Sequence, residues 1–120
     1  MQRSHGPSRC RLRGLVRRFV VVEDSMHPTL RPGDGLLAVR AGTPKTGQLR
    51  VFPDPRQSRR FLVKRVGGVR STETGLSFEA LSDNPDAPGV TDSRKFGWVP
   101  AAGSYRVLVR VRGRAPSTER

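Results

Sequence analysis

A mostly β fold, built as twisted antiparallel sheets in one small domain, is what this sequence predicts, on three observations. A chain of 120 residues is the size of one domain. Its 13 Gly and 10 Pro cut it into pieces too short for a helical bundle. Between those breaks the apolar residues are β-branched or alternate with a period of two. Taken in order, Phe19–Val22 is a β-branched run that ends at Glu23 and Asp24, and Leu36–Val39 follows the turn Pro32, Gly33, Asp34, Gly35. Leu49–Phe52 stops at Pro53, Phe61–Val66 is the longest apolar strand, and Leu76–Leu81 follows a Thr74, Gly75 turn. Tyr105–Val111 closes the set with Val107, Val109 and Val111 on one face. These strands define a folded domain over residues 19–112. Residues 1–18, with six arginines, one histidine and no acid, are expected to be a disordered basic tail, and 113–120 a second disordered end.

The net charge is +13, and 20 of the 23 basic residues are arginine. Such a balance points to an anionic partner, either nucleic acid or an anionic membrane surface. Against nucleic acid, the chain has seven aromatics, and no pair of them is interleaved with the basic residues as a stacking platform requires. Cys10 has no second cysteine to pair with, and His5 and His27 do not complete a zinc ligand set, so no metal and no cofactor are expected. No stretch approaches the roughly 20 apolar residues that cross a bilayer. A cytoplasmic or peripheral-membrane monomer without a transmembrane segment is therefore the expectation.

The sharpest local feature is Glu23-Asp24-Ser25-Met26-His27-Pro28, where a strand gives way to a proline-fixed turn. Pro28 blocks helix and fixes the side on which the Ser25 hydroxyl lies. A serine hydroxyl becomes a nucleophile only with a base beside it; without one, Ser25 is a turn-capping residue. His27 is a poor base for it, because side chains two apart in an extended chain lie about 7 Å from one another. Lysine is better. Of Lys45, Lys64 and Lys95, only Lys64 is embedded in an apolar strand, with Leu62 and Val66 on its face and Phe61 and Val63 on the other. Arginine stays charged in a protein, whereas a desolvated lysine can lose its proton near neutrality. The same strand pattern also fits a lysine that snorkels to solvent.

Taken together, Ser25, Met26, Pro28, Thr29 and Leu30, then Gly33 and Asp34, then Lys64, Arg65 and Val66, then Asp83 and Asn84, then Asp92, Ser93, Arg94, Phe96 and Gly97 stand in the order of the type I signal peptidases. Over Val20–Val99 the chain resembles that bacterial serine peptidase family, S26. The resemblance implies a mainly β catalytic domain in which Ser25 is the nucleophile, its backbone N–H an oxyanion donor, and Lys64 the general base. It implies an endopeptidase that removes an N-terminal leader or signal peptide from a precursor protein. Met26 matches a position packed near the nucleophile, and equally fits a core methionine. Asp92 and Arg94 match a supporting ion pair; as residues alone they equally fit a solvated pair worth under about 1 kcal/mol. Asp83 and Asn84 also read as turn formers before Pro85.

Three positions depart from the family pattern. Glu23 stands two before the nucleophile, where the family carries a small residue or an oxyanion-donating serine. Val90, with Thr91 beside it, stands where the family often has a serine that orients the lysine, and Ser82 replaces a glycine before Asp83. The arginine-rich start resembles a soluble maturation protease, such as those that trim the leader of nickel-type superoxide dismutase, or equally a peripheral signal peptidase on anionic lipid. A nucleic-acid-binding β module and an inactive peptidase relative are the alternatives.

Overall fold

The computed structural model describes residues 16–40 and 43–113. Seven strands form one antiparallel sheet: β1 (Val16–Val20), β2 (Gly35–Val39), β3 (Leu49–Asp54), β4 (Gln57–Thr72), β5 (Gly75–Leu81), β6 (Val99–Pro100) and β7 (Tyr105–Val111). The order across the sheet is β1-β2-β7-β3-β4-β5-β6. The single-turn helix α1 (Ser93–Phe96) is capped by Asp92 and closed by Gly97 at φ +87°. The mostly β, antiparallel fold is as the sequence predicts.

The boundaries differ in instructive ways. β1 begins at Val16 and ends at Val20, so Val16–Arg18 are strand rather than tail, paired with Leu37–Val39. Val21 leaves the ladder because its N–H and C=O turn to Asp34 O and Gly33 N instead, at 2.9 and 2.7 Å. Pro53 does not stop β3, which continues to Asp54 with a register shift there; the tight return to Gln57 is held by Arg56 N–H donating to Asp54 Oδ1 at 2.8 Å. β4 runs on through Gly67 and Gly68, at an irregularity where a Cβ on Gly68 would come within 2.8 Å of the Trp98 ring. Gly113, expected in a disordered end, donates its N–H to Asp34 Oδ1 at 3.0 Å. The rest of both predicted tails, 1–15 and 114–120, lies outside the described residues.

Two apolar clusters lie on opposite faces of β3 and β4. One gathers Val21, Met26, Leu30, Leu36, Ala38, Val51 and Tyr105, with Phe61 and Val63 against it. The other gathers Phe52, Leu62, Val66, Phe78, Ala80 and Val99. Each buried Phe or Leu contributes roughly 1.5–3 kcal/mol. Phe19 of β1 meets Phe61 of β4 with ring centroids 5.2 Å apart, although three strands separate them in the sheet order. The sheet therefore curls until its first strand faces its fifth, and the site lies where they meet.

Candidate active site

Ser25 is carried by the irregular segment between β1 and β2. Both ends of that segment are fixed. Asp34, buried at the start of β2, accepts from Arg31 N–H, Arg112 and Gly113 N–H at 2.9–3.0 Å. Burial pushes the Asp34 carboxyl up, but those donors outweigh it and hold the group below the usual carboxylate range. Gly33 completes the turn at φ +95°, a conformation that favours glycine. Met26 and Leu30 are buried in the first cluster, and Leu30 N–H donates to Met26 O at 2.9 Å. Ser25 itself is 4% exposed, whereas His27 is exposed.

Lys64 sits in β4 at 1% exposure, among Leu62 and Val66 as its alternation requires. It does not snorkel. Its Nζ donates to Ser82 Oγ at 2.9 Å. Burial pushes the Lys64 amine down to about 8 from 10.5; Asp92 and Asp54 pull it up, and Arg60 and Arg56 push it further down. Such an amine is partly neutral at neutral pH.

The segment Ser82–Asn84 connects the two. Ser82 accepts from Lys64; Asp83 N–H donates to Met26 Sδ at 3.3 Å; Asn84 N–H donates to Ser25 O at 2.8 Å, and its side chain donates to Asp24 O at 3.1 Å. Asp83 also takes two bonds from Arg65, at 2.9 and 2.8 Å, and one from Thr29 Oγ1 at 2.6 Å. These bonds, the Arg65 guanidinium foremost, hold the Asp83 carboxyl low despite its burial. Asp83 and Asn84 are thus more than turn formers: they clamp the serine-bearing segment to the end of β5.

Asp92 supports Ser82 from behind, accepting its N–H at 2.9 Å as well as three bonds from Arg94, at 3.0, 3.2 and 2.8 Å. Burial raises the Asp92 carboxyl, and the Arg94 guanidinium with the two backbone donors more than reverses this, leaving it well below the usual range. Only the arginine half of the Asp92–Arg94 pair is solvated: Arg94 is exposed, while the Asp92 carboxylate is buried and joined to the lysine through Ser82. Val90 and Thr91 are not hydrogen-bonded to Lys64 by any described contact; the hydroxyl that meets the lysine is that of Ser82. In the sequence Ser82 stands out only as a replaced glycine, which does not show this contact. The signal was present in the β4–β5 hairpin, whose register pairs Arg65 with Leu81 and so sets residue 82 across from residue 64.

An apolar cavity lies between Phe19–Glu23 on one wall and Phe61–Val63 on the other, floored by Leu36 and Val51. Ser25 lines it, as do Leu62 and Val63, the two residues before Lys64. β1 is an edge strand, and β4 before Arg65 pairs with β3 alone, so the walls are strands ladder-bonded on one side only. On the other side of Ser25 is a polar cleft of about 190 Å³, lined by Glu23, Asp24, Pro88, Gly89 and Val90. Among the described residues no group of His, Cys, Asp and Glu is placed to hold a metal ion, and no helix is long and apolar enough to cross a membrane.

The fold and site define a small, mostly β protein with a buried, desolvated lysine on β4 and a buried serine on the segment after β1, both held by the Ser82–Asn84 segment. The family model described as signal peptidase, peptidase S26, matches residues 12–74, more than half of the chain, and the chain belongs to that family. The matched range contains Ser25, Met26 and Lys64; Ser82, Asp92 and Arg94 lie beyond it. Membership supports a peptidase function. No curated protein matches the chain.

Proposed function

We propose that the protein is a serine endopeptidase with a Ser25/Lys64 dyad that removes an N-terminal leader or signal peptide from a precursor protein. The observation that carries this reading is the buried Lys64 amine, lowered to about 8 and aimed by Ser82 Oγ. A neutral amine has one lone pair; with one of its N–H groups held by Ser82, that lone pair is free to take a proton. Ser25 Oγ attacks the scissile carbonyl as its proton passes to Lys64 Nζ. The Ser25 N–H is a donor for the oxyanion. The tetrahedral intermediate collapses as Lys64 returns the proton to the leaving amine, which gives an acyl-enzyme. Lys64 then deprotonates a water, whose attack on the acyl carbon breaks the ester as Lys64 returns that proton to Ser25 Oγ, releasing the acid and restoring both groups.

The apolar cavity between the two wall strands suits an extended peptide with small apolar side chains before the cut, added along the strand edges. The narrower reading is a maturation protease for a precursor such as nickel-type superoxide dismutase, resting on the family resemblance of the arginine-rich chain. Peripheral contact with anionic lipid is supported by Val16, Val20, Leu37, Val109 and Val111, all exposed on β1, β2 and β7; β1 and β7 carry Arg17, Arg18, Arg106 and Arg110, and none of the three strands carries an acid.

The test is hydrolysis of precursor peptides bearing small residues before the bond, with products identified by mass. The wild type is expected to cut at one bond, and Ser25→Ala to abolish cutting with the circular dichroism spectrum and melting temperature unchanged. Cleavage that survives Ser25→Ala would refute the dyad.

A further inference from the structure

Glu23 stands two residues before Ser25, where the family pattern has a small residue, and its carboxylate is ion-paired across the groove to Arg60 of β4. Glu23 lines both the apolar cavity and the polar cleft on the far side of Ser25, and Arg60 lines neither. A chain lying past the nucleophile therefore meets the carboxylate rather than the guanidinium. Both side chains are substantially exposed, 37% for Glu23 and 42% for Arg60, so the pair is weak and exchangeable.

The exchange is asymmetric. Arg60 has a second carboxylate in reach, its Nε lying 3.9 Å from Asp54 Oδ2, so it keeps an anionic neighbour when it releases Glu23. An incoming cation would replace Arg60 at Glu23 and leave Arg60 beside Asp54, a carboxylate it would share with Arg56. An incoming anion would draw Arg60 away and leave Glu23 facing the negative charge that develops on the scissile carbonyl. Asp24, which lines the same cleft, adds to the repulsion.

We propose that Glu23, clasped by Arg60 until substrate arrives, selects precursors with a lysine or arginine side chain in the first two positions after the scissile bond. This rests on the peptidase reading only for the position of that bond. The polar cleft takes the segment that leaves, as the apolar cavity takes the segment that is acylated.

Binding tests the selection apart from hydrolysis. Labelled peptides alike except for Lys, Gln or Glu after the small-residue site are titrated by anisotropy against Ser25→Ala at low ionic strength. The Lys peptide is expected to bind about two- to fivefold tighter than the Gln peptide, and the Glu peptide weaker by a similar factor. Adding Glu23→Gln should bring the three affinities together. Adding Arg60→Gln should widen the Lys preference, an effect that a merely structural ion pair does not produce. Equal affinities in Ser25→Ala, a preference that survives Glu23→Gln, or no measurable binding of any of the three would overturn the proposal. Cleavage by the wild type of all three peptides at equal rates, with equal binding, would discard the selection and keep the peptidase. Selective binding without cleavage would do the reverse.

Discussion

Arg50 and Lys64 face each other across the β3–β4 ladder, both 1% exposed, yet burial does different things to them. Burial lowers the Arg50 guanidinium, and the like charge of Arg106 lowers it further, but a guanidinium is so strong a base that it remains charged at every physiological pH. Its partners include Ser104 Oγ at 3.0 Å and Gln48 Oε1 at 3.2 Å, and it ties β3 to the turn before β7. The same desolvation brings the Lys64 amine to about 8, within reach of losing its proton. Position in the sheet makes both side chains dry; side-chain chemistry decides which can lose its proton and which stays charged.

Exchanging the two residue types is the most severe way to break that contrast. Lys64→Arg should lower kcat by about 10³-fold or more, since the site then lacks a group able to take the Ser25 proton. Arg50→Lys should leave kcat within a few-fold and cost about 1 kcal/mol of stability through weaker hydrogen bonds. Comparable turnover by Lys64→Arg would show that the two cations are functionally alike.

Ser82→Ala sharpens the contrast by removing the hydroxyl that aims the amine. A loss of about tenfold in kcat with KM little changed is expected, in the range of a misplaced proton acceptor. The acid limb of the rate profile, near pH 8 in the wild type, should move to lower pH, because the ammonium loses an acceptor. An unshifted limb would reduce Ser82 to a packing residue.

A smaller effect lies in stability. Unfolding lets Lys64 take up a proton between its folded value of about 8 and 10.5 in the open chain, so stability rises with pH across that window. Below pH 8 the full penalty is present, up to about 3 kcal/mol. Lys64→Met should therefore melt higher than the wild type at pH 7, with the difference shrinking towards pH 10.5. A gap that is constant with pH would mean that the lysine is not desolvated.

The fold was legible because its determinants are local: Gly and Pro breaks, β-branched runs and period-two alternation fall where the strands do, and Lys64 lies with Leu62 and Val66 as its spacing requires. The boundary errors share a cause. Val21 and Pro53 depart from their strand propensities because tertiary hydrogen bonds and a register shift override them. The arrangement around the site was less legible. That Ser82 meets Lys64 depends on the register of the β4–β5 hairpin, and that Asp83 and Asn84 grip Met26 and Ser25 depends on how far the sheet curls, a property of seven strands together. Glu23 was visible as a departure, but its cation on β4 was not, since 37 residues separate them in the chain.

Asp34 has a consequence for biosynthesis. The turn that follows Ser25 is fastened by Arg112 and Gly113, nearly eighty positions downstream. While a ribosome still shelters those residues, the segment that carries Ser25 lacks its fastening, so its final geometry is set only after the chain is released.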